Sequence, residues 1–563
     1  MSIDPSIVQS SEKFVVTLNN QRYFFKITMS NGDKSSQILE LPYSFVEELK
    51  IEETLFNWFT TATLILKNDY EFFEKGAVLH DPNGREEIVP APYVFRHDGR
   101  NKINIRIYPI LDETTTGNTY PDLTEINYDY VVYSIEDLYA KDLSKKRKKL
   151  FLWDERYQHF IERNIQWSTY YPAAELLKTD KFIPDISCRV GTALKHLIQT
   201  ACGEAKNVPF VENSTPLKVG WQTPYSSSVV ESNSYTNTTQ NINVPTLNVA
   251  RFSKSWDEGP LENKISYTSP ASNNVVDDIN YLLKYYTSCL DQKDKKGLGM
   301  PGLLRLNRYS KEWSLIGLDQ VYAKALKENN QAGEDTIETI FIQHQTDGSL
   351  FGYSMSPNAD VAAIQSRTNT VYNYRFVSQD NTDDFIFCNR PVINYENNTG
   401  LWNIHFEENT PDNVVTMLNK NFIPKVFRDT TRNATNGVLI NLNKSKLNGI
   451  STTPEHVVFQ GSAAKVLSRN NMIYSSIFLN QALEFSTIGF TVRTPGKFIN
   501  INEQTTNTYS NTEFAKKFQG QWLITRVVHT FYNDKYLNNM VCVKFNSFNE
   551  LSVFNTKNDL FKE

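Results

Sequence analysis

Short runs in which hydrophobic and polar residues alternate recur along the chain and predict a protein built mainly of β-strands. Such runs occupy 14–18, 22–28, 62–69, 87–90, 102–108 and 131–133. Ile103, Ile105 and Ile107 alternate with polar residues, as expected for a strand with one buried face. Asn19 and Asn20 separate the first two runs and are good turn formers. Because so many short strands would leave exposed edges, the pattern favours a closed or nearly closed barrel.

The pattern near the carboxyl end predicts two β-hairpins. The first hairpin runs through 485–494, turns at Pro495 and Gly496, and returns through 497–502. The second runs through 520–531, turns within 532–539 and returns through 540–545. Together these hairpins predict a second small β-barrel.

Both faces of the strand at 520–531 carry large hydrophobic residues. Strict alternation places Trp522, Ile524 and Val528 on one face, and it leaves Leu523, Val527 and Phe531 to fill the other. Neither face resembles a solvated surface. The strand is therefore either a contact surface for a partner or a strand buried inside a thick core.

The middle of the chain, from about 135 onward, has the most helical character. Residues 187–202 have an amphipathic helical spacing that ends at the glycine Gly203, and a second helix is expected around Ile279, Leu282 and Leu283. A hairpin is predicted at 302–316 with its turn at 309–312. The basic run 145–149 is expected on a solvated helix face or loop, with contact to an acidic neighbour as the alternative.

The stretch 226–241 is polar, since eleven of its sixteen residues are Ser, Thr or Asn. Such a segment buries too little surface to offset its ordering entropy alone. It is either a mobile loop or an arm that orders against a partner.

The length of 563 residues predicts several domains rather than a single core. The boundaries suggested by the pattern are 1–134 for a first barrel, 135–336 for an α/β middle domain with the polar loop 226–241, 337–465 for a β-rich insertion of unknown role, and 466–563 for a second barrel. The fold class is therefore α+β, rich in β-strands and multi-domain.

The composition argues against several classes of protein. A formal net charge of −5 lacks the basic balance of a general nucleic-acid binder, although a channel that lets DNA pass remains compatible with it. Five scattered cysteines without a CxxC pair indicate neither a zinc site nor a disulfide framework. We expect a soluble chain made in the cytoplasm, because neither a signal peptide nor a long apolar segment is evident.

The sequence offers no defensible active site, so we expect no enzyme activity, no catalytic residues, no cofactor and no bound metal. The chain lacks a P-loop, a GxSxG elbow and an HExxH helix. Asp154, Glu155 and His159 lie within two helical turns, but such spacing is common by chance. His405 and Glu407 read as a satisfied pair on one strand face, and the acidic stretch 380–384 lacks the glycine and distal glutamate of an EF-hand.

Four stretches resemble the central hub proteins of contractile-phage baseplates. The stretch 49–69 resembles the opening of these hubs, and 150–169 resembles their middle region. Residues 272–283 with 303–315 resemble the helix and hairpin after the first barrel. The final stretch, 495–531, resembles the second barrel. Segment 337–460 matches no part of this pattern.

The resemblance implies a fold of two small tail-tube-like β-barrels joined by an α/β insertion. It further implies a structural virion protein of the tail baseplate, a homotrimer that adapts the sixfold tail tube to the threefold central spike around a channel for the genome. The implied partners are other copies of the chain, the central spike protein, the tail tube or tube-initiator protein and baseplate wedge proteins, with DNA only in passage and no stable membrane insertion. The candidate strands for contacts with other subunits, tube or spike are those that carry Trp522, Ile524, Val528, Phe531, Leu64 and Leu66. The alternative function is a tail-associated glycan-active enzyme or receptor-binding protein, which would need paired carboxylates in a cleft.

Overall fold

The computed structural model confirms a β-rich fold with few helices. It describes residues 13–30, 38–68, 73, 77–80, 86–89, 95, 101–110, 125–138, 146–165, 167–177, 187–202, 229–232, 239–242, 250–261, 263–291, 293–294, 296–308, 311–318, 321, 338–344, 350–355, 371–378, 390–396, 401–407, 438–442, 466, 470, 481–503 and 520–544. The acidic stretch 380–384 and the cap residue Gly203 lie outside these residues.

The amino-terminal part forms a curled antiparallel sheet. Its strands are β1 (Val15–Leu18), β2 (Gln21–Ser30), β3 (Leu39–Pro42), β4 (Val46–Thr54), β5 (Thr61–Lys67), β8 (Lys102–Pro109), β9 (Ile126–Leu138) and β10 (Arg147–Asp154), with β6 (Ala77–His80) and β7 (Glu86–Val89) as a separate hairpin. The order across the sheet is β1-β2-β8-β9-β10-β5-β4, and β3 also pairs with β2. Ile103, Ile105 and Ile107 face one buried core, as predicted.

The turn between β1 and β2 has the geometry that its sequence predicted. Asn19 and Asn20 have φ angles of 48° and 65°, the left-handed pair that a tight two-residue hairpin turn requires. Asparagine tolerates this region better than most residues. The prediction of a hairpin at this point is therefore confirmed.

The first sheet extends further along the chain than its sequence suggested. The expected boundary at residue 134 falls inside β9, and β10 pairs with both β9 and β5. Residues 147–149 of the basic run are thus the start of strand β10, not part of a helix face. Lys148 Nζ lies 2.6 Å from Asp137 Oδ1, and Lys149 Nζ lies 3.2 Å from Glu136 Oε2, so contact with acidic neighbours is the correct alternative.

The middle region combines four helices with short strands among the described residues. The helices are α1 (Glu155–Ile161), α2 (Tyr170–Leu177), α3 (Val190–Cys202) and α4 (Val275–Lys284). The strands are β11 (Cys188–Arg189), β12 (Val229–Ser232), β13 (Thr239–Ile242), β14 (Arg251–Phe252), β15 (Lys264–Ile265), β16 (Thr287–Asp291), β17 (Lys296–Leu306) and β18 (Glu312–Gly317). The two predicted helices are confirmed as α3 and α4, and their apolar faces share a second core with Trp167 and Trp313.

The structure also describes the predicted hairpin of the middle region and part of its polar stretch. The hairpin at 302–316 is confirmed, since β17 and β18 pair from Gly302 to Leu306. Within the polar stretch, β12 and β13 pair with each other as a two-stranded sheet.

The carboxyl-terminal part contains a second curled sheet. Its strands are β19 (Glu338–His344), β20 (Leu350–Met355), β21 (Val371–Ser378), β25 (Gln481–Ile488), β26 (Phe498–Glu503), β27 (Gly520–Tyr532) and β28 (Lys535–Lys544). A separate three-stranded sheet consists of β22 (Arg390–Glu396), β23 (Leu401–Glu407) and β24 (Val438–Leu442). Since β19 pairs with β26 and β21 pairs with β25, the strands from 338 to 378 belong to the second sheet and not to a separate insertion.

One of the two predicted carboxyl-terminal hairpins is wrong and the other is tighter than expected. Strands β25 and β26 do not pair with each other: β25 pairs with β28 and β21, whereas β26 pairs with β27 and β19. The hairpin of β27 and β28 is confirmed. Its turn is only Asn533 and Asp534, with φ angles of 44° and 56°, because this Asn-Asp pair adopts the left-handed geometry of a two-residue turn.

Candidate functional site at the junction of the two sheets

The two curled sheets are joined edge to edge. Strand β27 of the second sheet pairs antiparallel with β4 of the first, from Arg526 opposite Thr54 to Tyr532 opposite Glu48. On the outer face of this seam, Arg526 Nε lies 2.7 Å from Glu52 Oε1, and both side chains are more than a third exposed. The pairing joins the two curled sheets into one continuous hydrogen-bonded sheet.

A β-bulge in β27 changes which residues share a face. The register with β28 shifts between Ile524 and Arg526, which leaves Thr525 as the extra residue. The shift puts Val527, rather than Val528, in the same core as Trp522 and Ile524. The prediction from strict alternation is wrong at this point, because a bulge reverses the facing of every residue beyond it.

The side chains predicted to contact other subunits, tube or spike are mostly internal. Trp522, Leu64, Leu66 and Phe531 have no exposed surface, and Ile524 is 1% exposed. Leu64, Leu66 and Phe531 belong to the core of the first sheet, whereas Trp522 and Ile524 belong to that of the second. These five side chains are therefore core residues, and contacts by their strands with another chain would have to use outward-facing neighbours. Val528 is partly exposed on the outer face.

The inner side of the seam holds a buried polar cluster, which we call the junction cluster: Glu53, Tyr128, Arg308, Arg493, His529, Tyr536 and Asn538. Glu53 lies at its centre and accepts hydrogen bonds at Oε1 from Tyr128 Oη, at 2.8 Å, and from Arg308 Nη1, at 3.0 Å. His529 Nε2 lies 3.4 Å from the same oxygen. These groups come from the first sheet, the middle region and the second sheet.

The other ring nitrogen of His529, Nδ1, contacts two residues of the second sheet. This nitrogen lies 2.7 Å from Tyr536 Oη and 2.9 Å from Asn538 Nδ2. Arg493 Nη1 donates to Asn538 Oδ1 at 3.1 Å and to the Ile488 carbonyl at 2.6 Å. A continuous network of polar contacts therefore runs from Glu53 to the loop that precedes β26.

Burial shifts the pKa values within the junction cluster. Burial alone would raise the pKa of Glu53, but the Arg308 charge, followed by contacts with His529 and Tyr128, outweighs it and lowers that pKa to about 2. Burial also lowers the pKa of His529 below 6.5, and the nearby Arg308 and Arg493 reinforce this shift while Glu53 opposes it. At neutral pH the cluster thus contains an ionised Glu53 beside an uncharged His529.

The two hairpin turns contact each other close to this cluster. Asn19 N donates to the Asp534 carbonyl at 3.2 Å, and Asn19 Nδ2 donates to the Tyr536 carbonyl at 2.5 Å. The Tyr23 and Tyr536 rings meet edge to face at 5.5 Å, and Tyr23 Oη donates to the Gly489 carbonyl. The turn residues therefore tie the sheets together as well as reversing the chain.

What the junction cluster can do follows from its burial. Glu53, Arg308 and His529 all have less than a tenth of their side chains exposed, so a substrate in solution does not reach them. A buried ion pair adds little net stability, but removing one partner leaves the other charge buried without compensation. The arrangement holds three parts of the chain in one relative position.

The sequence contained a signal for one part of this cluster. On β4 the inward positions Leu49 and Ile51 are followed, at the same spacing, by Glu53, which places an acid on a buried face. A buried carboxylate requires a partner. Nothing in the local sequence of Arg308 indicated that it would be this partner, since the two residues are 255 positions apart.

Of the three residues that the sequence places within two helical turns, Asp154, Glu155 and His159, the first two have structural partners. Asp154 caps α1 by accepting from the Arg156 and Tyr157 backbone amides, and Glu155 forms an ion pair with Lys102. Burial, with Arg163 and Lys102 nearby, lowers the pKa of His159 to about 3. Within the described part of the chain, no group of three or more His, Cys, Asp or Glu residues is placed to hold a metal ion.

The outer face of the first sheet carries a row of aromatic rings. Tyr133 stacks on Trp153 with ring centroids 4.1 Å apart, and Phe151 lies beside Tyr133. Trp153 contacts Tyr157 edge to face, and Tyr157 stacks on Phe59. Tyr133 is 45% exposed, so the row forms part of the surface of the isolated chain.

Comparison with solved structures found the following similarities. The chain is similar to the tail protein from Neisseria meningitidis, with 6% identity, a TM-score of 0.38, and coverage of 93% of this chain and 98% of that one. It is similar to a 43 kDa tail protein of a Shewanella oneidensis prophage, with 7% identity, a TM-score of 0.35 and coverage of 93% and 99%. It is also similar to an Escherichia coli type VI secretion component, described as similar to phage T4 tail proteins, with 8% identity, a TM-score of 0.28 and coverage of 90% and 76%.

No family model matches the chain, and no curated protein matches its sequence. No helix in the described part of the chain is long and apolar enough to cross a membrane.

Proposed function

We propose that the chain is a structural, non-enzymatic protein of a phage tail, the hub of its baseplate. In this role three copies form a ring around a channel, with the tail tube above and the central spike below. The proposal rests on the seam of β4 and β27, which joins two curled sheets into one continuous hydrogen-bonded sheet. Three chains with two such sheets each present six similar units, the number that a sixfold tube needs, while the ring keeps the threefold symmetry of a spike.

The junction cluster supports this role because a closed symmetric ring requires every subunit to have the same shape. Buried contacts from three parts of the chain meet at Glu53, and the two hairpin turns bond to each other beside it. The polar groups of the cluster bond to other groups of the same chain. The proposal therefore assigns contacts with other chains to outward surfaces, of which the aromatic row from Phe59 to Phe151 is one.

Light scattering coupled to size-exclusion chromatography tests the assembly. The chain has a mass of 64.8 kDa, and the proposal expects a particle of three times this mass whose proportion rises with protein concentration. A variant with Tyr133→Ser and Trp153→Ser, which alters the outer face without touching the cores, serves as a probe of the aromatic row. A particle with the mass of one chain at every concentration would contradict the proposal.

A further inference from the structure

The hairpin of β17 and β18 crosses the inner side of the seam between the sheets. Arg308, in the turn of this hairpin, donates through Nη1 to Glu53 Oε1 in the first sheet, at 3.0 Å. Through Nη2 it donates to the carbonyl of Thr491 in the second part of the chain. One guanidinium thus bonds to residues on both sides of the seam.

Two neighbouring cations of the same hairpin each bond to one side. Arg305 donates to the Pro495 carbonyl, which lies in the loop before β26. Lys311 Nζ donates to the Asn127 carbonyl of β9, at 2.5 Å, and lies over the Tyr128 ring. The hairpin therefore bonds to the loop before β26 through Arg305 and to the first sheet through Lys311. Arg308 bonds to both of these parts.

The pairing of β4 with β27 does not by itself fix the angle between the sheets. The β4–β27 ladder fixes which residues are opposite each other, but the twist between adjacent strands varies over roughly 10° to 35° in proteins. The angle between the sheets is therefore set only by a contact away from the line of the seam. Arg308 makes such a contact, and it is 6% exposed.

We propose that Arg308 is a positioning residue that sets the angle between the two sheets. Its planar fork suits this role, because two donors held in a fixed geometry bond to two acceptors in different parts of the chain. A lysine has a single ammonium group and lacks this fixed fork. The inference goes beyond the proposed hub function, since it concerns the shape of a single chain and holds in any assembly state.

The test measures the distance between spin labels placed on the two sheets. Cysteines at the exposed positions Leu138 and Glu484 carry the labels. Cys388 is replaced by serine, whereas Cys188, Cys202, Cys289 and Cys542 are buried. Labelled chain is diluted into an excess of unlabelled chain, so that only distances within one chain are recorded.

The decisive variant is Arg308→Met combined with Glu53→Gln. It removes both charges together, so no charge of the pair is left buried without its partner. The matched control is Arg526→Gln with Glu52→Gln, which removes an exposed pair across the same two strands. A twist change of about 10° moves a label about 20 Å from the seam by about 3 Å, within the range of strand twists.

We expect the distance distribution to shift or broaden by about 3 Å in the Arg308 and Glu53 variant. In the control variant it should match that of the parent chain. An unchanged distribution in that variant would overturn it, as would an equal change in the control. If the double variant does not fold, Arg308→Lys provides the answer: it keeps a positive charge beside Glu53 but loses the fork. A parent-like distribution in that lysine variant would then overturn the proposal.

Discussion

Glu53 is the residue on which the stability of the junction cluster depends most directly. Its carboxylate accepts from Tyr128 and Arg308, and both it and Arg308 are nearly inaccessible to solvent. Replacing Glu53 by Gln leaves the Arg308 charge buried without its counter-ion. We expect this change to lower the free energy of unfolding by about 3 to 5 kcal/mol, as measured by urea denaturation.

The neighbouring residue Glu52 provides the control for this prediction. It pairs with Arg526 across the same strands, but both side chains are substantially exposed. Glu52→Gln should therefore change the free energy of unfolding by no more than about 1 kcal/mol. Equal losses for the two variants would show that burial of the junction cluster does not matter.

Acid should weaken the junction cluster through His529. Because burial holds the pKa of His529 below 6.5, the unfolded chain binds the proton first as the pH falls. The stability that comes from an uncharged His529 is present above pH 6.5 and is lost below it. Glu53, with a pKa of about 2 against an ordinary value of 4.5, adds a loss only at lower pH.

Urea midpoints recorded between about pH 8 and about pH 5 check this prediction. The midpoint of the parent chain should fall toward acid more steeply than that of His529→Gln, which lacks the titrating group. His159, whose pKa is also lowered, is present in both chains and cancels from the comparison. Parallel curves would contradict the role assigned to His529.

At the scale of elements, the tight turn at Asn19 and Asn20 shows how local backbone geometry serves the junction. Asn20 has a φ of 65°, which a β-branched residue adopts only with strain. Asn20→Val should therefore lower the free energy of unfolding by about 1 to 2 kcal/mol, the cost of a left-handed residue. Thr17→Val, at an exposed position of β1, is the control and should be nearly neutral in thermal unfolding.

The elements that could be predicted from the sequence are those whose signals are local. The alternation of Ile103 and Ile107 and the Asn19-Asn20 turn sufficed for strands and a hairpin, and the spacing along α3 sufficed for a helix. Pairing between distant strands was not predictable in this way. The Pro495-Gly496 turn suggested that β25 and β26 form a hairpin, yet each strand pairs with other partners because the complete sheet satisfies more of their backbone groups.

The candidate site was only partly predictable for the same reason. The inward spacing of Leu49, Ile51 and Glu53 marks a buried acid, but its partners Arg308 and His529 lie far away in sequence. The long hydrophobic run around Trp522 left two alternatives open, a contact surface for a partner or a strand buried inside a thick core, and similar reasoning placed Leu64 and Leu66 on a candidate contact strand. These side chains lie in the cores of the two sheets, since a curled sheet joined to another has little solvated inner face.

In the whole molecule, two curled sheets are joined at one seam, and a hairpin from the middle region sets the angle between them. Such a unit is suited to ring assembly, because an error in the angle within each chain would be repeated in every copy around the ring. The proposed trimer therefore depends on both the outward surfaces and the junction cluster. The Glu53→Gln variant, if it still folds, should form fewer rings than Glu52→Gln at equal concentration in light scattering.

We expect three copies of this chain to form a ring with an open centre. Negative-stain electron microscopy of the purified chain, with class averages computed without imposed symmetry, is the decisive measurement. Threefold particles with a central hole are the expected result. Compact particles the size of one chain, at concentrations where light scattering is recorded, would contradict it.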